Sequence, residues 1–161
     1  MQFKKIRRDA SFLPMSGFEF IQLNQLSNLA VYLDNRHAIP ATSSNFSLRC
    51  NENSFFISKS GIHKRDLNPS RFVRVDLNGI AVNSISPKPS DETLLHAIIY
   101  KLFPNANVVA HSHAKEFEKF KCPNYIFEGH ELLKAFGHKN HIDNFILPVF
   151  QNTQDIAALA K

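Results

Sequence analysis

The pair Asn78-Gly79 does most to restrict what this chain can fold into. It closes an alternating run, residues 71–77, in which Phe72, Val73 and Val75 supply the apolar positions, and Asn-Gly is the two-residue turn whose twist suits a tight β-hairpin. A chain that reverses there contributes antiparallel pairing from its middle. Further β-like pieces fall at residues 46–49 and 54–58, a buried strand at 107–111 and a final strand at 145–150. Helices are expected at 17–35, where Phe18, Ile21, Leu23, Leu26, Leu29, Ala30 and Leu33 fall near helical spacing, and at 91–102 and 128–136. Pro40 stops the first; Pro87 and Pro89 precede the second, with Ser90 set to cap it; Asn152-Thr153 opens a last helix. Such irregular alternation predicts a layered α/β domain with a mixed or antiparallel sheet, not a doubly wound parallel one.

At 161 residues, 43% hydrophobic and 20% charged with only 5 glycines, the chain reads as one folded domain, 1–161. No apolar run approaches the ~18 residues that span a bilayer, and the start leads into no signal-peptide segment, so a cytoplasmic protein without a membrane partner is expected. Cys50 and Cys122 lie far apart and form no CxxC, which fits two reduced thiols. The net charge of +5 is spread along the chain apart from Lys4, Lys5, Arg7 and Arg8. Charge alone does not separate nucleic-acid binding from a small anionic substrate.

Four segments can carry chemistry. In His111-Ser112-His113, after the apolar run Val108-Val109-Ala110, a strand sends residues i and i+2 to one side, about 6.5–7 Å apart, where two imidazoles can reach one metal ion. The alternative for such a pair is two solvated histidines at a strand end. Lys88-Pro89-Ser90-Asp91-Glu92 opens a helix whose free N–H groups suit an anion, with Glu92 in the first turn; plain capping accounts for it as well. The loops at 41–47 and 58–64 are turn-like runs of small hydroxyl residues whose backbone N–H groups can cradle phosphate; neither matches a P-loop, and such polar loops are also commonplace.

In order and spacing, the four resemble the class II aldolase and adducin-head family from about Ala30 onward. Residues 41–49 are similar to its Thr-Ser-Gly-Asn-hydrophobic-Ser-x-Arg motif, 88–96 to its Lys-Pro-Ser-x-Glu-Thr-x-x-His segment, and 108–113 to its strand running into His-x-His. Gly129-His130-Glu131-Leu132-Leu133-Lys134 and the stretch 147–156 are similar to the dehydratase branch that serves methionine salvage. The resemblance implies a layered α/β/α fold, Zn2+ held by His111 and His113, and substrate phosphate held by Asn45, Ser60, Gly61 and Ser90. It implies Glu131 as acid/base in dehydration of a phosphorylated ketopentose. Glu92 would lie by the metal, as the acid/base of the aldolase branch. The implied partners are a small phosphorylated ketose and copies of the chain itself (a tetramer in the family), with no nucleic acid. The alternatives are a sugar-phosphate aldolase and a non-catalytic module like the adducin head. There are two departures. Ser44 stands where the family has glycine, and the family's third zinc histidine, in a later His-Gly-x-x-x-x-Gly stretch, has no counterpart before Lys161, so a chain cut short at its C-terminus is expected. His37, His63, His96, His130, His138 and His141 match no zinc position and read as surface or satisfied histidines.

Overall fold

The structure is a computed structural model that describes residues 15–115, 120, 123–140, 142–151, 153 and 155–160. The basic cluster at residues 4–8, Cys122, His141 and Asn152 lie outside these residues. Residues 15–114 with 155–160 form one compact unit; the described part of Lys115–Gln154 forms a second.

The first unit begins with helix α1, Gly17–Asn35. Ser16 caps it, accepting from the Glu19 backbone N–H while the Glu19 carboxylate accepts from the Ser16 N–H, a reciprocal pair that satisfies two orphan donors. Leu23, Leu26, Ser27 and Ala30, spaced as one helical face, are its buried residues. Phe18, Ile21 and Leu29, expected to share that face, are instead exposed. Strands β1 (Asn45–Asn51), β2 (Ser54–Ser58), β3 (Phe72–Asp76) and β4 (Val108–His111) make an antiparallel sheet in the order β3-β2-β1-β4. The reversal after β3 occurs where Asn78-Gly79 predicts it: Gly79 takes φ 81°, and the returning chain makes a single bridge, Val75 to Ala81.

Helix α2 (Thr93–Leu102) follows, packing Ala97 and Tyr100 on Phe55, Ile57, Val73, Val75 and Val109. On the opposite sheet face, Phe46, Leu48, Phe56 and Phe72 pack on α1. Alternation along β2 therefore sends Phe55 and Ile57 to one helix and Phe56 to the other, which is a helix–sheet–helix layering. Helix α2 starts two residues later than its sequence suggests. Ser90 is not its cap: the Ser90 carbonyl accepts from the Thr93 N–H and hydroxyl, closing a turn ahead of the helix, and Glu92 occupies the cap position without capping through its side chain.

The second unit holds a two-stranded antiparallel sheet of β5 (Asn124–Glu128) and β6 (Asn144–Pro148). The helix expected over 128–136 is here a strand end followed by a shorter 3-10 helix, Glu131–Phe136, that closes on Gly137 at φ 85°. Back in the first unit, α3 (Ile156–Leu159) begins three residues beyond the expected start at Thr153. Asp155 is its cap, accepting from the Ala158 N–H at 3.0 Å.

Candidate metal and phosphate site

Antiparallel register builds this site. Asn45, the first residue of β1, pairs with His111, the last of β4. Period-2 alternation sends Asn45, Ser47 and Arg49 to the α2 face, the side opposite Phe46 and Leu48. From α2, His96 and Tyr100 reach back toward them on consecutive turns.

At the strand ends, the Nδ1–H of His111 donates to Glu92 Oε2 at 2.5 Å, and Asn45 Nδ2 donates to the same oxygen. The rings of His111 and His113 lie 4.6 Å apart between centroids. One donor atom each from Glu92, His111 and His113 falls within 4.8 Å of the others. Those hydrogen bonds, the one from His111 foremost, hold the Glu92 carboxyl down at about 2, so it is ionised at any ordinary pH. With its Nδ1–H committed to Glu92, a neutral His111 keeps its Nε2 lone pair for another partner. Two imidazoles and a carboxylate form a nitrogen–oxygen donor set that suits Zn2+.

Beneath this group runs a buried polar chain. Asn45 Oδ1 meets His96 Nε2, Ser47 Oγ lies 2.6 Å from His96 Nδ1, and Tyr100 OH lies 2.8 Å from Ser47 Oγ. His96 is 1% exposed, and burial above all pushes its pKa down to about 4; the ring is neutral at pH 7. Arg49 steadies the far end, its guanidinium 4.5 Å over the Tyr100 ring and bonded to the carbonyls of Tyr100 and Ala106.

The small-residue segments converge beside Asn45. Phe46 N donates to Ser58 Oγ, Ser90 N to the Ser58 carbonyl, and Ser60 N to the Lys88 carbonyl. Gly61 lies at φ 73° with open space about its α-carbon, so backbone conformation and not crowding calls for glycine there. Ser44, the departure from the resembling pattern, also takes a left-handed φ, 79°, where glycine is relaxed and serine strained. Its hydroxyl is the one buried side-chain polar atom without a hydrogen-bond partner among the described residues. Lys64, 1% exposed, joins two of the segments: its ammonium donates to the carbonyls of Thr42 at 3.1 Å and Ile62 at 2.9 Å. Burial lowers its pKa, while Asp34 and Glu92 oppose that through their charge.

Of the residues singled out in the sequence, Asn45, Glu92, His111 and His113 come together, and Ser60, Gly61 and Ser90 lie on the segments that join at Ser58 and Lys88. Glu131 stands in the second unit, exposed, with Lys134 at 3.4 Å. Sequence reasoning gave Lys64 no role although it ends the 58–64 loop, and missed the Ser47–His96–Tyr100 chain. The i, i+3, i+4, i+7 burial of Thr93, His96, Ala97 and Tyr100 was the available signal for the latter.

Fold and donor group together make an α/β domain with a group able to hold a metal ion, and the chain belongs to the class II aldolase and adducin N-terminal domain family, whose profile matches residues 24–160. Among its relatives is the methylthioribulose-1-phosphate dehydratase of Hahella chejuensis, 45% identical over 127 residues, or 75% of this chain and 61% of that protein. The dehydratase of the same name from Acidiphilium cryptum is 36% identical over 141 residues, 84% of this chain and 66% of that one. The chain thus spans less than two thirds of the length of these two relatives. A solved aldolase II superfamily protein from Pseudomonas syringae superposes with a TM-score of 0.56 at 20% identity, covering 63% of this chain and 42% of its own. An L-fuculose 1-phosphate aldolase from Glaciozyma antarctica gives 0.54 at 18% identity, over 65% and 46%. At such identities these two speak for the fold.

Proposed function

We propose that this chain carries the metal and phosphate sites of a zinc-dependent hydro-lyase that dehydrates 5-methylthioribulose 1-phosphate in methionine salvage. The observation that supports it most is the grouping of Glu92, His111 and His113 beside the loops of Asn45 and Ser60. The names of the relatives give the substrate. In this reading His111 and His113 hold the zinc, which when bound polarises the ketone and acidifies the neighbouring C–H. Asn45, Ser60, Gly61 and Ser90 receive the phosphate through backbone and side-chain donors. Glu131 takes the proton from the carbon beside the ketone; the electron pair forms a C=C bond, and the hydroxyl on the next carbon leaves, protonated, as water. The enol then rearranges to the 2,3-diketo-5-methylthiopentyl phosphate. The dehydratase names of the relatives favour this reading over the aldolase.

The outward side of α1 exposes Phe18, Ile21, Leu29 and Tyr32, an apolar surface that supports assembly with further copies of the chain. No helix among the described residues is long and apolar enough to cross a membrane.

Product analysis tests the proposal. Zinc-loaded protein is incubated with 5-methylthioribulose 1-phosphate, both as this chain and as this chain extended to the length of the Hahella relative with that protein's residues. One diketone phosphate is expected from the extended form, and Glu131→Gln should abolish it with zinc still bound. Two carbon fragments would make the protein an aldolase. An untouched substrate in the extended form would leave a binding module.

A further inference from the structure

The buried chain behind Glu92 has only one consistent set of proton positions. Asn45 turns its Nδ2 toward Glu92 and donates to Oε2. That leaves Asn45 Oδ1 facing His96, and an amide oxygen can only accept, so His96 Nε2 carries the proton. A neutral imidazole has one N–H. His96 Nδ1 is therefore the acceptor and takes the proton of the Ser47 hydroxyl at 2.6 Å. Ser47 Oγ in turn accepts from Tyr100 O–H at 2.8 Å. Every donor along Tyr100, Ser47, His96, Asn45 and Glu92 thus points toward the carboxylate.

Reversing that order is costly at two places at once. With the proton on Nδ1, His96 would offer a lone pair to Asn45, whose carboxamide would flip. Its carbonyl oxygen would then face the Glu92 carboxylate. The flip would also remove the second Nδ2–H of Asn45 from the phosphate side of the loop. Side-chain amides reverse easily when nothing holds them, and only a partner of fixed polarity decides which end points where.

We propose that His96 is a positioning residue: as its neutral Nε2–H tautomer, with Nδ1 accepting from Ser47, it locks the Asn45 carboxamide so that one N–H aims Glu92 at the metal group and the other serves the phosphate. His96 touches neither ligand. It couples the two subsites through one amide. The proposal rests on the metal and phosphate sites proposed above, and its test does not need turnover.

Long-range proton–nitrogen NMR of the imidazole, with the His96 signals assigned by their loss in His96→Gln, reports the tautomer directly in the metal-free protein. The Nε2–H pattern is expected across pH 6–8, and should persist in Ser47→Ala, because the Asn45 carbonyl oxygen sets the tautomer. Titrations with zinc alone and with inorganic phosphate alone supply the second readout. His96→Leu, which removes the donor, is expected to weaken both by about tenfold or more, within the 10–100-fold typical of partners behind a metal ligand. His96→Gln, which keeps an N–H near the Nε2 position, should stay within about threefold of the parent for both, in the same range of effects. An Nδ1–H or imidazolium ring at pH 7 overturns the proposal whatever the variants do. So does a His96→Leu protein that binds both probes normally, or a His96→Gln protein that loses as much as His96→Leu. If the tautomer and the paired losses hold while no diketone forms, the dehydratase reading falls and the coupling stands.

Discussion

The two faces of the four-stranded sheet share the same strands and differ in what they bury. On the α1 side, Leu23, Leu26 and Ala30 of the helix pack with Ile39, Phe46, Leu48, Phe56 and Phe72, and the buried Ser27 spends its hydroxyl on the Leu23 carbonyl of its own helix. Against α2 the apolar patch of Phe55, Ile57, Val73, Val75 and Val109 gives way, toward the ends of β1 and β4, to Asn45, Ser47, His96 and the Tyr100 hydroxyl. Apolar packing is non-directional and tolerates small shifts. A hydrogen-bond chain fixes orientation, and any missing member leaves a buried group unsatisfied. One face therefore supplies stability and the other holds polar side chains in position.

The largest effect should come from the α1 face. Leu23→Ala, at a fully buried site, is expected to cost about 3–5 kcal/mol in urea unfolding while leaving the zinc affinity of the folded protein unchanged. A parallel loss of zinc binding would mean that the faces are not separable. Acid should strike the other face. His96 is lowered to about 4, chiefly by burial, against an ordinary 6.5, so the unfolded chain takes up its proton first. The stability this group contributes is complete above pH 6.5 and drains away as pH falls through 4. At about 1.4 kcal/mol per unit this amounts to about 3 kcal/mol, and His96→Gln should flatten that part of the stability profile. Next comes His111→Ala. We expect zinc affinity to fall at least about 100-fold, close to 3 kcal/mol, with the urea midpoint nearly unmoved, because His111 is half-exposed at a strand end. An unaltered zinc titration would remove His111 from the site. The smallest change is a gain: Ser44→Gly relieves a left-handed serine and deletes an unsatisfied hydroxyl, and should raise stability by about 1 kcal/mol in thermal unfolding. A destabilised variant would show that the hydroxyl has a partner after all.

These same regions separate what was legible in the sequence from what was not. Apolar spacing located α1 to its ends, and Ser54–Ser58 was readable as a strand because every second residue is a large apolar one or small and buried. The start of α2 misled, since a serine after proline is a good cap by composition, yet Thr93 uses the Ser90 carbonyl to close a turn first. Strand β5 went unseen because it is short and largely exposed, with no buried face to impose alternation on Asn124–Glu128. The metal group was visible because His111 and His113 are two residues apart. The chain behind it was not, because Ser47 and His96 meet only through the packing of α2 on β1.

The pairing of Asn45 with His111 also sets which changes of length the gene can tolerate. Adding or deleting one residue within β1 or β4 would turn every following side chain to the other face, exchanging His111 with Ala110 and Ser47 with Phe46. The segments between β3 and α2 and between α1 and β1 lack that constraint. Homologues should therefore vary in length at residues 36–41 and 80–87, and hold a constant count from Asn45 to Arg49 and from Val108 to His113.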